Sequence, residues 1–435
     1  MTSVSRSIAR GLVLVPMALG AQNVAGTWQG TIAEGQRPVR MIVRITSGDR
    51  GALTATLRSI DQGADFGHLF RADSVVVRGA GVTVTWTPVH VRYVGTRGAD
   101  GRSIAGTWTE DGASQPLALA RATSETEWRD PSPHTQRFVT VEKDARLETL
   151  DWGGTGRPVV LLAGLGNTAH VFDQFAQKLT SEYHVYGITR RGFGESSAPE
   201  SGYLADSLAG DVLAVLDSLG IRRPVLIGHS IAGQEMSSIA THHADRVAGL
   251  VYLEAGYQFA FYDSGEVHVQ LSLRDTQRTL AKLADPAVAM PVKERGAMID
   301  ELLQTSLPLL ERDLRAYRET LARVRDQSAA LPAADNDPSR RRVLLGTQRY
   351  TDIRVPVLAL FALPQETPPA MARDSVLQAR ADSISLANSG PHVNAFERGI
   401  PGSRVVRVAH ANHYIFRSNE AEVLREIRAF VAGLP

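Results

Sequence analysis

No cysteine occurs among the 435 residues, so disulfides, zinc–thiolate clusters and a cysteine nucleophile are all excluded. Any covalent chemistry must run through Ser, Thr, Asp, Glu, Lys, His or Tyr. An excess of one charge is missing too. The 47 Lys and Arg are balanced by 46 Asp and Glu, spread along the chain, which supplies no basic field for a phosphate backbone and no acidic tail. Nucleic acid is therefore not an expected partner. No apolar run approaches the roughly 20 residues that span a bilayer, so no transmembrane segment is expected. What the chain does have is 43% hydrophobic residues, 38 Gly and 21 Pro, which suits a globular protein of two or three domains with a large core.

At the start, Arg6 and Arg10 precede a short apolar run from Gly11 to Leu19, with the small residues Ala18, Gly20 and Ala21 around its end. That order is the pattern of an export signal. Residues 1–21 are expected to be removed and the mature protein to be periplasmic or secreted. With no Cys at the cut, a lipoprotein anchor is excluded.

Residues 22–123 read as short antiparallel strands, because apolar and polar residues alternate between Gly-rich turns. Met41, Val43 and Ile45 face one way, and Arg40 and Arg44 the other. Val82, Val84 and Trp86 alternate with Thr83 and Thr85. The tetrapeptide Ala25-Gly26-Thr27-Trp28 recurs as Ala105-Gly106-Thr107-Trp108, which suits first and last strands placed side by side in a small barrel or sandwich. The repeated Trp residues read as core aromatics. A polar, Pro-containing stretch over 124–136, with Pro131 and Pro133, reads as a linker.

Beyond it, over 137–435, continuous apolar runs alternate with helical periodicity. The runs are Pro158–Leu162, His184–Ile188, Pro224–Ile227, Ala248–Leu253, Val355–Phe361 and Arg404–Val408, the pattern of parallel strands buried on both faces. Leu204, Leu208, Val212, Val215, Leu216 and Leu219 recur at helical spacing and stop at Gly220, a suitable C-cap. The last helix opens at Ser418 or Asn419. This is an α/β domain. One interval, about 257–348, breaks the alternation with charged amphipathic helices and reads as an insertion. Within it Met298, Leu302, Leu303, Leu307, Leu310 and Leu314 fall at rough helical spacing.

The sharpest motif is Val225-Leu226-Ile227-Gly228-His229-Ser230-Ile231-Ala232-Gly233, an apolar strand running into a helix through small residues. So tight a reversal needs small side chains two before and two after its centre, and it holds the Ser230 hydroxyl clear of the backbone. Gly228 and Ala232 meet that need. The turn also places the Ile231 N–H at a helix start, where a developing oxyanion is favoured.

From about Phe138 to Pro435 these residues resemble the α/β-hydrolase superfamily. Leu161-Leu162-Ala163-Gly164-Leu165-Gly166 stands where members carry His-Gly and the loop that gives the second oxyanion N–H; the resemblance implies Leu165 as donor beside Ile231. Arg191-Gly192-Phe193-Gly194-Glu195-Ser196 is similar to a turn that many members carry, read here as structural. Asn412-His413-Tyr414 ends the last strand where the family keeps its catalytic His. His413 is thus the expected base, ahead of His410, and His229 reads as a packing residue. A serine hydroxyl needs such a base, and the imidazole needs a carboxylate. Members usually place an Asp after the strand that here runs Val355–Phe361. None stands there, so the resemblance implies Glu254, at the end of the preceding strand, with Glu366 as the alternative.

The expectation is an α/β-hydrolase fold with a mostly parallel sheet and a helical cap insertion, preceded by a small antiparallel β barrel or sandwich. The activity implied is serine hydrolysis of a small molecule with an apolar acyl or ester group, its pocket lined by Tyr257 and Phe261. Aminopeptidase, lactonase, carbon–carbon hydrolase, cofactor-free haloperoxidase and acyltransferase remain open on the same residues, as does a noncatalytic binding role. Epoxide hydrolase and dehalogenase activity is disfavoured, since those need Asp at position 230. No cofactor or metal is implied: His242 and His243 are adjacent and diverge on a helix, and no other histidines show ligand spacing.

Overall fold

The structure, a computed structural model, describes residues 24–34, 37–48, 52–59, 70–87, 90–110, 112–128, 133–324, 337–367 and 374–435. The expected export signal over 1–21 lies outside the described residues. Two compact units are present, one built from residues up to 130 and the other essentially from 131–435.

The first unit is a nine-stranded antiparallel sheet of β1 (Gly26–Glu34), β2 (Arg37–Ser47), β3 (Leu53–Ser59), β4 (Phe70–Arg71), β5 (Ser74–Arg78), β6 (Gly81–Trp86), β7 (Val91–Arg97), β8 (Ser103–Glu110) and β9 (Ala113–Arg121). Its order is β4-β3-β2-β1-β9-β8-β7-β6-β5, and β5 comes against β3, so the sheet curls into a nearly closed barrel. Burial alternates as the sequence predicts: Val82, Val84 and Trp86 are buried on β6, and Val91 and Tyr93 on β7. The first and last strands, β1 and β9, do pair. The repeated tetrapeptide is not what pairs them, because its second copy lies on β8, with β9 between the copies. Trp28, Trp86 and Trp108 are buried in the barrel core. The Trp28 indole N–H donates to the Val24 carbonyl at 2.8 Å.

The second unit holds an eight-stranded sheet of β10 (Thr135–Glu142), β11 (Ala145–Gly153), β12 (Pro158–Leu162), β13 (His184–Ile188), β14 (Val225–His229), β15 (Gly249–Leu253), β16 (Val357–Ala362) and β17 (Arg404–Val408). The order is β10-β11-β13-β12-β14-β15-β16-β17. β13, β12, β14, β15, β16 and β17 pair in parallel in that order, and β10 and β11 form an antiparallel edge. Alternate residues of β12 enter different cores: Val159 and Leu161 pack with Phe172, Phe416 and Ile427, while Val160 and Leu162 pack with Leu216, Met236 and Ile239. Burial on both faces is why these strands read as unbroken apolar runs. The helix Ala205–Leu219 ends at Gly220 in the left-handed conformation, φ +65°.

Between β15 and β16 the insertion forms helices Val269–Ala284, Val292–Glu301, Leu307–Val324 and Pro338–Leu345, with a wider turn over Leu302–Ser306. The apolar spacing there correctly marks helices but overstates their burial. Leu302 is buried, whereas Leu303, Leu307 and Leu314 are exposed. A 25-residue helix, Ser375–Gly399, lies between β16 and β17 and went unread in the sequence. No described helix is long and apolar enough to cross a membrane.

Candidate active site

The parallel strands deliver their C-terminal ends to one edge of the sheet, and the register aligns two of those ends. His229, the last residue of β14, pairs with Leu253, the last of β15. The next residue on each strand is therefore Ser230 or Glu254. Both leave the strand in the left-handed region, with φ +52° and +50°, a conformation that costs a non-glycine residue on the order of 1–3 kcal/mol and is kept where the surroundings impose it. At Ser230 the chain reverses into helix Gly233–His242. The reversal depends on Gly228: a Cβ there would lie 2.7 Å from Met236 Cε and 3.1 Å from Ala232 Cβ. Ala232 thus fits in place of the family's usual glycine because the residue opposite it has no side chain.

His413 lies in the loop between β17 and the short helix Ile415–Ser418. Its Nε2 is 3.0 Å from Ser230 Oγ, and its Nδ1 is 3.3 Å from Glu254 Oε2. The imidazole is 45% exposed while the Glu254 side chain is fully buried, so the hydroxyl end of the array is open and the carboxylate end is closed. Glu254 is held by two further donors: the Ala362 backbone N–H at 2.6 Å on Oε1, and the Tyr257 hydroxyl at 2.8 Å on Oε2. Burial, and then the Glu254 charge, push the Tyr257 phenol well above its ordinary range. Tyr257 therefore stays protonated and donates.

The other candidates fall outside this array. His410 faces Asp382 at 3.7 Å. Glu366 is exposed, and its backbone N–H donates to the Ala411 carbonyl. Leu165 lies in the loop after β12, whose last residue Leu162 pairs with Gly228. Leu165 and Ile231 share an apolar cluster with Phe193, Tyr203 and Phe259. Phe259, not Phe261, thus joins Phe193 and Tyr203 beside the expected oxyanion residues. The Phe261 ring lies against Phe396 at 6.1 Å and fills the space beside Gly399. Tyr257 is turned to Glu254, as described above.

Two supports were missed in the sequence. His229 is buried, and its Nε2 is 2.8 Å from the backbone oxygen of His413, to which it donates. Burial, together with the nearby His413, pulls the His229 imidazole down to about 3. It is a neutral ring that fixes the position of His413. Arg190 is buried between helix Gly233–His242 and the loop after β12; it pairs with Glu235 and donates to the Ala163 oxygen at 2.9 Å. Burial raises the Glu235 carboxyl, and Arg190 opposes that shift. His229 stands within the nucleophile motif, but its role, like that of Arg190, depends on a partner distant in sequence. In the Arg191-Gly192-Phe193-Gly194 turn, Arg191 is fully buried and bonded to both Asp211 oxygens at 2.6 and 2.5 Å.

A sequence profile described as "Alpha/beta hydrolase family" matches residues 159–426. Epoxide hydrolase 4 from Mus musculus is 31% identical over 152 residues, covering 33% of this chain and 41% of that protein. A non-heme haloperoxidase from Rhodococcus erythropolis is 35% identical over 120 residues, covering 27% of this chain and 43% of the other. The chain thus spans about two fifths of the length of these relatives. Among solved structures, a thermophilic esterase from Thermogutta terrifontis superposes with a TM-score of 0.43 at 20% identity, covering 69% of this chain and 98% of that one.

Proposed function

The chain belongs to the alpha/beta hydrolase family, and on that premise we propose that it is a serine hydrolase that cleaves ester-like bonds of small molecules through an acyl-enzyme. The observation that carries the reading is the continuous path from Ser230 Oγ through the His413 ring to buried Glu254, at 3.0 and 3.3 Å. In this mechanism His413 Nε2 accepts the Ser230 proton as Oγ attacks the substrate carbonyl. Glu254 accepts the His413 Nδ1–H and balances the imidazolium charge. The N–H groups of Leu165 and Ile231 receive the oxyanion. Collapse of the tetrahedral adduct breaks the bond to the leaving alkoxide, which takes the proton from His413. Water then gives a proton to the same nitrogen as it attacks the acyl group, and the acid product departs as Ser230 regains its hydrogen.

Support for an apolar acyl group comes from the cluster of Leu165, Ile231, Phe193 and Phe259 next to the nucleophile. Ser at position 230, in place of Asp, supports ester chemistry over the epoxide hydrolysis in one relative's name. Turnover of p-nitrophenyl esters of increasing chain length, beside lactones and aminoacyl anilides, tests the proposal. Ester hydrolysis that vanishes in Ser230→Ala supports it; turnover restricted to lactones or anilides replaces the substrate class. We also propose export after removal of about 21 residues, on the order of charge, apolar run and small residues at the start. The mass of the protein isolated from its native host tests this, and an intact N-terminus overturns it.

A further inference from the structure

A second group of histidines and carboxylates lies in the hydrolase unit, outside the Ser230 array. His134 immediately precedes β10, His170 lies in the turn Ala169–Phe172, and Asp173 opens the helix that follows. His134 Nδ1 is 3.2 Å from Asp173 Oδ1, and His170 Nδ1 is 3.1 Å from Asp173 Oδ2. The two imidazoles stand edge to face with centroids 5.0 Å apart. The three residues can each offer one ligand atom, all within 4.8 Å of one another.

Two observations distinguish this group from an ordinary hydrogen-bond network. The His134 side chain is 9% exposed, and its buried Nδ1 has no hydrogen-bond partner among the described residues, since the approach to Asp173 lies outside hydrogen-bond geometry. His170 faces a carboxylate with both nitrogens: Nδ1 meets Asp173, and Nε2 meets Glu148 Oε1 at 3.3 Å. Glu148 is itself buried and fixed by Gln136 at 2.6 Å and Thr189 at 2.7 Å.

We propose that His134 Nδ1, His170 Nδ1 and Asp173 bind a divalent transition-metal ion of the zinc class. Two imidazoles and one carboxylate are a ligand set such ions accept, with a fourth position left for water. The 3.1 and 3.2 Å spacings run to different Asp173 oxygens, so the carboxylate lies between the two rings. The surroundings also fit. With Nδ1 on the metal, His170 Nε2–H donates to Glu148, the carboxylate–histidine arrangement that orients metal-bound imidazoles. The Trp152 indole donates to Asp173 Oδ1 at 2.9 Å and orients the carboxylate in turn. None of these residues belongs to the Ser230 array. The ion would tie the segment entering β10 to the turn after β12, and it would stabilise the fold by mass action. Sequence spacing gives no sign of the site, because its ligands come from separate segments.

The test uses the full-length protein, stripped with a chelator and titrated with Zn²⁺ by calorimetry while the thermal midpoint is followed. The expected result is one equivalent bound and a raised midpoint. Binding should be lost in His134→Gln and in His170→Gln, weakened about 10–100-fold in Glu148→Gln, and unchanged in His410→Gln, which removes an exposed histidine paired with Asp382. Should the ligand variants fail to fold, the Co²⁺ absorption spectrum of the unmodified protein decides. The intense visible bands of four-coordinate cobalt support the site. Absence of stoichiometric Zn²⁺ binding, retention of it in His134→Gln, or the weak spectrum of six-coordinate cobalt would overturn the proposal.

Discussion

Two places in the hydrolase unit set histidine against buried carboxylate, and they differ in what the second ring nitrogen meets. At the sheet edge His413 has Glu254 on one side and the Ser230 hydroxyl on the other. Under the sheet's antiparallel edge, His170 has Asp173 on one side and Glu148 on the other. The spacings are alike, 3.0–3.3 Å in one and 3.1–3.3 Å in the other. The chemistry is not. A carboxylate on one nitrogen and a hydroxyl on the other makes a base with a proton to take, whereas carboxylates on both hold the ring as a donor or, with a metal on Nδ1, as a ligand. At His413 the backbone decides the outcome: a left-handed turn brings the Ser230 hydroxyl to the ring.

The largest effect that tests this contrast is removal of either end of the proton path. Ser230→Ala and His413→Ala should each reduce kcat by up to roughly 10⁶-fold, and the double variant should be no worse, because the two act as one unit. Losses that multiply in the double variant would separate the two residues. Glu254→Gln comes next, with an expected loss approaching about 10⁴-fold while the fold is retained. Glu366→Gln should leave kcat within a factor of two or so of the parent, since its side chain is exposed and the carboxylate at the His413 ring is that of Glu254. Inactivation by the latter change with little effect of the former would reassign the acid. Tyr257→Phe removes one donor from the Glu254 carboxylate, and a hydrogen bond to a charged group of about 1.5–3 kcal/mol implies roughly a 10- to 100-fold decrease in kcat. Unchanged kcat in steady-state assays would reduce Tyr257 to a packing role.

The smallest effect concerns His229, a third histidine environment in which the ring stays neutral. Its value of about 3 when folded lies below the ordinary 6.5. Between those values the unfolded chain binds a proton that the folded chain refuses. Stability therefore falls as pH drops from about 6.5 toward 3, by up to about 1.4 kcal/mol per pH unit. His229→Gln keeps an N–H donor for the His413 carbonyl but removes the titration. Its melting temperature should decline less steeply with acid than that of the parent, and parallel curves would refute the assignment.

What could be read from the sequence follows from how locally each feature is encoded. The six buried strands were legible because double-sided burial leaves continuous apolar runs, and each observed strand falls within a residue or two of its run. The turn at Ser230 was legible because Gly228 and Ala232 are local steric requirements. Glu254 was reachable by its place at a strand end, since register pairs Leu253 with His229. The helix Ser375–Gly399 escaped because Gly390 and Pro391 interrupt it and most of its side chains remain outside the core. Contacts that join distant segments were illegible for a different reason. His229 with the His413 carbonyl, Arg190 with Ala163, and His134 with Asp173 depend on tertiary placement, which residue spacing does not report.

The central claim is that Ser230 is an activated nucleophile, and covalent labelling reads that directly. The protein is treated with a fluorophosphonate, digested and mapped by mass spectrometry, with His413→Ala and Glu254→Gln run in parallel. The account predicts one adduct, on Ser230, formed rapidly in the parent, more slowly in Glu254→Gln and barely in His413→Ala. An unlabelled Ser230 in folded protein, or labelling at the same rate in all three, would contradict it.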